Sequence, residues 1–278
     1  MATLQPLDPW AARSEVEIEV PMERVWRALT DPRHLRRWFP VEAAGGSGEG
    51  GVLRFGWGNG RIDPMLIETW SPPHHLRLRH HSPTGATERV TEIHLRGRET
   101  RTHLRVETRG FPRDDAWWEL MRGTGHAHRF LVLQLRHYLE GFEGQERRVL
   151  SIRRRLRMDR EEAWRRLEAS NALGLHLDPV LESTAPWQLA GVCVDPAGLV
   201  RIAIDGVRDD ATHRDVTVWL SCWGTDGGVL REAGDRLGEA LRRAFPSSAG
   251  GRVETGSSAT GAPDVFLGYA TPPDPAAA

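Results

Sequence analysis

The sequence predicts an α+β fold: a curved antiparallel sheet around a long C-terminal helix, present as two tandem copies. Three observations predict it. Val16, Ile18 and Val20 alternate with Glu15, Glu17 and Glu19, a two-residue period that gives a strand one buried and one wet face. Further period-two runs, separated by short links containing Gly and Pro, end at a stretch from about Asp115 to Glu140 whose apolar residues recur at helical spacing. Finally, "IEVPMERVWRAL" (Ile18 to Leu29) aligns with "LRMDREEAWRRL" (Leu156 to Leu167) at a constant offset of 138 residues.

After the first strand, Pro21 suits the first turn of a helix, and Val25, Trp26 and Leu29 give that helix an apolar stripe. Asp31-Pro32 reads as an N-cap followed by proline at the first helical position. The short helix that follows carries Leu35 and delivers Trp38 and Phe39. The glycine-rich "AAGGSGEGG" (Ala43 to Gly51) is expected as a flexible loop. Strand faces follow: Leu53, Phe55 and Trp57; then Leu76, Leu78 and His80; then Thr91, Ile93 and Leu95; then Leu104 and Val106. The long helix carries Trp117, Met121, Gly125, His128, Val132, Leu135 and Leu139 on one stripe, with Gly141 as its stop. The second cycle is shorter. Its strands are expected at Trp187–Val194, Leu199–Asp205 and Arg214–Cys222, and its last helix on a stripe of Leu230, Gly234, Leu237, Leu241 and Phe245. The resulting division is an N-terminal tail (1–13), a first domain (14–144), a shortened second domain (145–246) and a flexible C-terminal tail (247–278) rich in Ser, Gly, Ala and Pro.

Composition excludes several classes. A formal net charge of −1 supplies no global field for nucleic acid or an acidic membrane surface. No run approaches the ~20 apolar residues of a membrane span, and the start lacks a signal peptide's basic and apolar regions, so a cytoplasmic protein is expected. Cys193 and Cys222 sit in apolar runs outside any CxxC pair and read as reduced, buried thiols. The Arg-rich "RRVLSIRRRLRMDR" (Arg147 to Arg160) alternates with Leu150, Ile152, Leu156 and Met158, which makes it a strand with a wet face rather than a nucleic-acid arm. No GxxxxGK[ST], strand-to-helix GxGxxG or GxSxG is present, so no cofactor is expected.

The segment "VPMERVWRALTDPRHLRRWFP", with "THLRVETRGF" and "LRHYLEG", resembles the START-like (SRPBCC) superfamily, and within it the bacterial branch related to activators of the heat-shock chaperone ATPase. The second copy, ending in "LGEALRRAFP", resembles the shortened partner domain of tandem members. The resemblance implies a helix-grip fold with a cavity between sheet and long helix that takes an apolar small molecule. It also implies two alternatives, a polyketide cyclase- or dehydratase-type enzyme and, by analogy alone, a chaperone-regulating interaction protein. One departure stands out. Many members place Gly-Trp in the long helix where this chain has Ala127-His128, which leaves a cavity more open or more polar.

The expected ligand-binding residues are Trp38, Phe39, Phe55, Trp57, Leu78, His80, Ile93, Leu95, Trp117, Met121 and His128. His80 and His128 are the candidate acid–base groups, since imidazole titrates near neutral pH; two hydrogen-bonded core histidines are the competing reading. No metal is expected, because neighbours in the doublets His74-His75 and His80-His81 face opposite sides of a strand and His126 and His128 diverge. Burying ~300 Å² of apolar ligand would yield at most ~7 kcal/mol gross, which association costs bring to micromolar affinity. The shortened second copy suits a lid or a dimerisation partner better than a second pocket, so a homodimer is compatible with the reading.

Overall fold

The computed structural model describes residues 8–56, 62–80, 88–113, 115–169, 173–207, 210–246 and 256–257. Trp57 and almost all of the expected C-terminal tail lie outside these residues.

The first copy runs β1 (Ala12–Ile18), α1 (Met22–Thr30), α2 (Pro32–Leu35), β2 (Glu42–Gly45), β3 (Val52–Gly56), β4 (Ile62–Ser71), β5 (His75–His80), β6 (Val90–Arg98), β7 (Arg101–Arg109) and α3 (Asp115–His137), which continues as a π-helical turn over Tyr138–Phe142. The second copy runs β8 (Arg147–Leu156), α4 (Arg160–Ala169), β9 (Leu177–Thr184), β10 (Gln188–Cys193), β11 (Gly198–Val207), β12 (Asp210–Trp223) and α5 (Gly227–Ala244), with the short β13 (Gly256–Ser257) beside β8. The α+β helix-grip class is thus observed, in two antiparallel sheets. The first is ordered β1-β7-β6-β5-β4-β3-β2 and the second β13-β8-β12-β11-β10-β9. In both, the first strand of the copy pairs with the last, so the repeat read in the sequence is a repeat of topology.

Two local expectations are corrected. Ala43–Gly45 is not loop but part of the edge strand β2, paired with β3. Strands β4 and β9 were not legible, because each contains a proline (Pro64, Pro179) and neither keeps a clean inside–outside alternation. Asp31 does cap α2, its side chain accepting from the Arg33 backbone N–H at 2.8 Å. Gly110 closes the sheet ahead of α3 at φ +88°, where an added Cβ would lie 2.3 Å from the Glu88 carbonyl.

Helix α3 is held between the two sheets. Its first-copy side packs along β1 and over the cavity, while its other side meets β11 and β9. Strand β12 shows why the second copy fits there. Val216, Val218, Leu220 and Cys222 point to a core shared with α4 and α5, while Trp219 on the opposite face joins the core that contains α3. A strand buried on both faces reads as the mostly apolar run "VTVWLSC", broken only by the small polar Thr217 and Ser221. The junction is also polar. Gln188 Nε2 donates to the His126 carbonyl at 2.9 Å, Ser221 Oγ donates to Gln134 Oε1 at 2.6 Å, and Trp223 Nε1 donates to the Arg37 carbonyl at 2.9 Å. Cys193 and Cys222 are buried free thiols.

The outer face of the first sheet is a carpet of ion pairs. Glu107 at its centre is bound by Arg13 and Arg105, at 2.7 and 2.6 Å, and by Arg109. The expected Arg face of β8 is answered within its own sheet, Arg153 and Arg155 both reaching Asp215. Arg154 is buried instead, its Nη2 donating to the Phe245 carbonyl at 2.6 Å. Burial alone would raise the Glu107 carboxyl, but hydrogen bonds from Arg105, Arg109 and Arg13 outweigh it and hold the pKa at about 2 against an ordinary 4.5. A depressed carboxylate stabilises the fold fully above its unfolded pKa, and that share is lost as pH falls from about 4.5 toward 2. Glu107→Gln is therefore expected to flatten the stability profile in that acid window, measured by urea unfolding at pH 5, 4 and 3; an unchanged slope would refute the assignment.

Candidate functional site

The site is built from α1, α2, the inner face of the first sheet and the second half of α3. Trp38 follows α2 and is fixed by its indole N–H, which donates to the Ala28 carbonyl of α1 at 2.8 Å. It stacks on Phe39 at 5.3 Å, and Phe39 meets Phe55 of β3 edge-on at 5.1 Å. The carbonyls of this aromatic corner are gathered by the buried Arg147 at the start of β8. Its Nη1 donates to Trp38 at 2.8 Å and its Nη2 to Phe39 and Pro40 at 3.1 and 2.9 Å. Burial pushes the Arg147 guanidinium down to about 9, which leaves it charged at neutral pH. Gln134 of α3 adds a further bond to the Trp38 carbonyl. The second copy thus moors the corner that forms one wall of the site.

Between this corner, the sheet and α3 lies a cavity of about 70 Å³. Thirteen of its fifteen lining side chains are apolar; the polar exceptions are Thr91 and His128. Of the residues expected at the site, Trp38, Phe39, Phe55, Leu78, Ile93 and His128 line it. His80 does not. It sits buried behind Thr91, its Nε2 2.9 Å from the Thr91 hydroxyl, which in turn lies 2.7 Å from the Thr108 hydroxyl. Leu95 is core elsewhere on the same sheet. Trp117 and Met121 pack with Ala12 and Phe111 in a separate cluster. They lie seven to eleven residues before His128, roughly 10–16 Å along the helix axis, which places them beside β1 rather than over the cavity. Trp118, a further aromatic on that turn, is largely exposed and meets Trp10 edge-on at 5.2 Å.

Among the lining residues, those absent from the expected ligand-binding set are Leu29, Leu35, Met65, Thr91, Leu104, Val106, Leu131, Val132 and Leu135. A signal existed for three of them: Leu131, Val132 and Leu135 lie i+3, i+4 and i+7 from His128 and share its helical face. Met65 belongs to the unread strand β4.

The two candidate acid–base histidines are both held neutral. Burial depresses His80 well below its ordinary value, with Arg89 and His128 adding to the effect. Burial brings His128 to about 4, against a smaller opposing contribution from its hydrogen bond to the Ala12 backbone. His128 Nδ1 has no hydrogen-bond partner.

The sheet register also assembles His75, Glu92 and His94, whose ligand atoms lie within 4.8 Å of one another. His75 and His94 are directly cross-strand on β5 and β6, a juxtaposition the spacing of the doublets did not reveal. Their rings stack at 4.3 Å with planes 7° apart. Imidazole lone pairs lie in the ring plane, so rings placed this way do not aim at one point, and Arg77 already engages Glu92.

Among the described residues no helix is long and apolar enough to cross a membrane. No curated protein matched the chain. Among solved structures, similarity was found to the Aha1 dimer from Colwellia psychrerythraea, 19% identical over 48% of this chain and 98% of that one, with a TM-score of 0.42. DynU16, a putative protein in the dynemicin biosynthetic locus, is 18% identical over 85% and 96%, with a TM-score of 0.41. The di-domain ARO/CYC BexL from the BE-7585A biosynthetic pathway is 14% identical over 84% and 95%, with a TM-score of 0.42. Residues 19–140, which contain all fifteen lining positions, match the family described as Activator of Hsp90 ATPase homolog 1-like protein.

Proposed function

We propose that the chain binds a small apolar or aromatic molecule between α3 and the first sheet. The observation that supports this is a cavity in an otherwise close-packed core, walled by aromatic and aliphatic side chains and brought together from eight separate elements. The domain boundaries at 14–144 and 145–246 belong to the same proposal, with the first unit forming the cavity and the second buttressing it.

Magnitude limits the guest. A cavity of about 70 Å³ is smaller than the roughly 150 Å³ that accommodates benzene in an engineered core, and well under the ~300–1,000 Å³ of ordinary ligand sites. A ring-sized guest therefore requires the lining to give, and Met65, unbranched and adaptable, is the side chain best suited to do so. Burying roughly 200 Å² of such a guest yields about 5 kcal/mol before association costs, so affinity on the order of a millimolar replaces the micromolar figure expected from sequence. Of the two candidate histidines only His128 lines the cavity, and burial keeps it neutral, so the geometry favours binding over acid–base turnover.

Calorimetric titration of the full chain with benzene, toluene, phenol and indole tests the proposal. At least one is expected to bind, and Val132→Phe, which fills the cavity from the helix side, is expected to weaken it at least about tenfold without loss of fold. Absence of binding by every probe, or identical affinity in the filled variant, would refute it.

A further inference from the structure

Resting on the small-molecule reading, we propose further that the cavity selects a guest with an apolar body and one hydrogen-bond donor, a phenol or an alcohol, and that His128 Nδ1 accepts that donor. His128 is 3% exposed and lines the cavity, yet its Nδ1 has no partner. The ring also interacts with the Ala12 backbone. A neutral imidazole carries its proton on one nitrogen only, and with the proton on Nε2 the unpartnered Nδ1 presents a bare lone pair. Burial keeps the ring neutral at pH 7, in keeping with this assignment.

A buried acceptor without a donor is costly, and the cavity offers no internal remedy. Thr91 is the other polar lining residue, and its hydroxyl already engages His80 and Thr108. A trapped water needs two to four polar partners, and here it would find one free side-chain atom. A carboxylate or phosphate guest would meet no cation among the lining side chains. What remains is a neutral donor on an apolar frame. The position is also where this chain carries His128 at the point that long-helix spacing aims into the cavity, with Leu131, Val132 and Leu135 on the same face.

The test uses phenol and toluene, matched in shape and differing by hydroxyl against methyl, titrated into the full chain and into His128→Phe. The ratio of toluene to phenol dissociation constants is expected to be about tenfold higher in the wild type than in the variant, the usual worth of one buried hydrogen bond. An equal ratio in both would overturn the role of His128 while leaving small-molecule binding intact. Binding of toluene without phenol would overturn this proposal alone, and failure of both, together with benzene and indole, would remove both readings. Should the variant not fold, ¹⁵N spectroscopy of the wild-type imidazoles decides. The His128 Nδ1 resonance is expected to move upfield with phenol and stay in place with toluene; no phenol-specific movement would overturn the proposal.

Discussion

Arg147→Ala is expected to destabilise the chain by about 3–5 kcal/mol, since it withdraws the donor from three buried carbonyls and opens a void where the guanidinium packed. The Trp38 carbonyl keeps a second donor, from Gln134. For a chain of this size the loss corresponds to a melting temperature about 10 °C lower. Arg147→Lys can restore one or two of the three bonds but not the planar fork, so about half the loss should return. The corner carries Trp38 and Phe39, so any guest affinity should fall together with stability in both variants. Urea unfolding reads the effect as a lower midpoint at unchanged slope. A midpoint within about 0.5 kcal/mol of wild type would show that the second copy does not moor the cavity wall.

This arrangement also shows what the sequence disclosed and what it withheld. Strand β1, helix α1 and the cap at Asp31 were legible because each is specified locally: period two over Ser14–Val20, an apolar stripe over Val25–Leu29, and Asp-Pro at a helix start. The repeat was legible because β8 and α4 keep the spacing of β1 and α1. The Trp38–Phe39–Phe55 corner and His128 were read onto the site because the strand and helix periods aimed them there. Trp117 and Met121 were placed with them on helical period alone, and a period cannot say where along a 23-residue helix the cavity ends. The second copy's role was hidden for a related reason. Arg147 and Gln134 look like ordinary polar positions, and only tertiary contact shows that they meet the same carbonyl. Likewise the His75–His94 pair depends on the register of β5 against β6, which no local pattern fixes.

The largest pH effect should come from histidines that the fold keeps neutral. His80, His126 and His128 are all depressed, His126 to about 3 and His128 to about 4, and His34, His75 and His137 are lowered as well, in each case chiefly by burial. A histidine whose folded pKa lies below its unfolded 6.5 binds fewer protons when folded. Stability is therefore complete above about pH 6.5 and is lost as pH falls toward the folded value. For His128 alone a shift from 6.5 to about 4 is worth about 3 kcal/mol, most of it gone by roughly pH 4.5. Asp205 works in the opposite sense, since burial raises its carboxyl above the ordinary 3.8 and its share grows as pH falls through that raised value, which offsets part of the histidine loss. The window from pH 6.5 to 4.5 thus belongs to the histidines and the window below it to Glu107. Urea unfolding at pH 7, 5.5 and 4.5 should show a steep fall for the wild type and a shallower one for His128→Phe, by about 3 kcal/mol across the range. The comparison of slopes isolates titration from the packing change that the substitution brings, because packing shifts every point alike. Parallel profiles would mean that His128 takes up its proton as readily folded as unfolded, and its burial would then not be what holds the ring neutral.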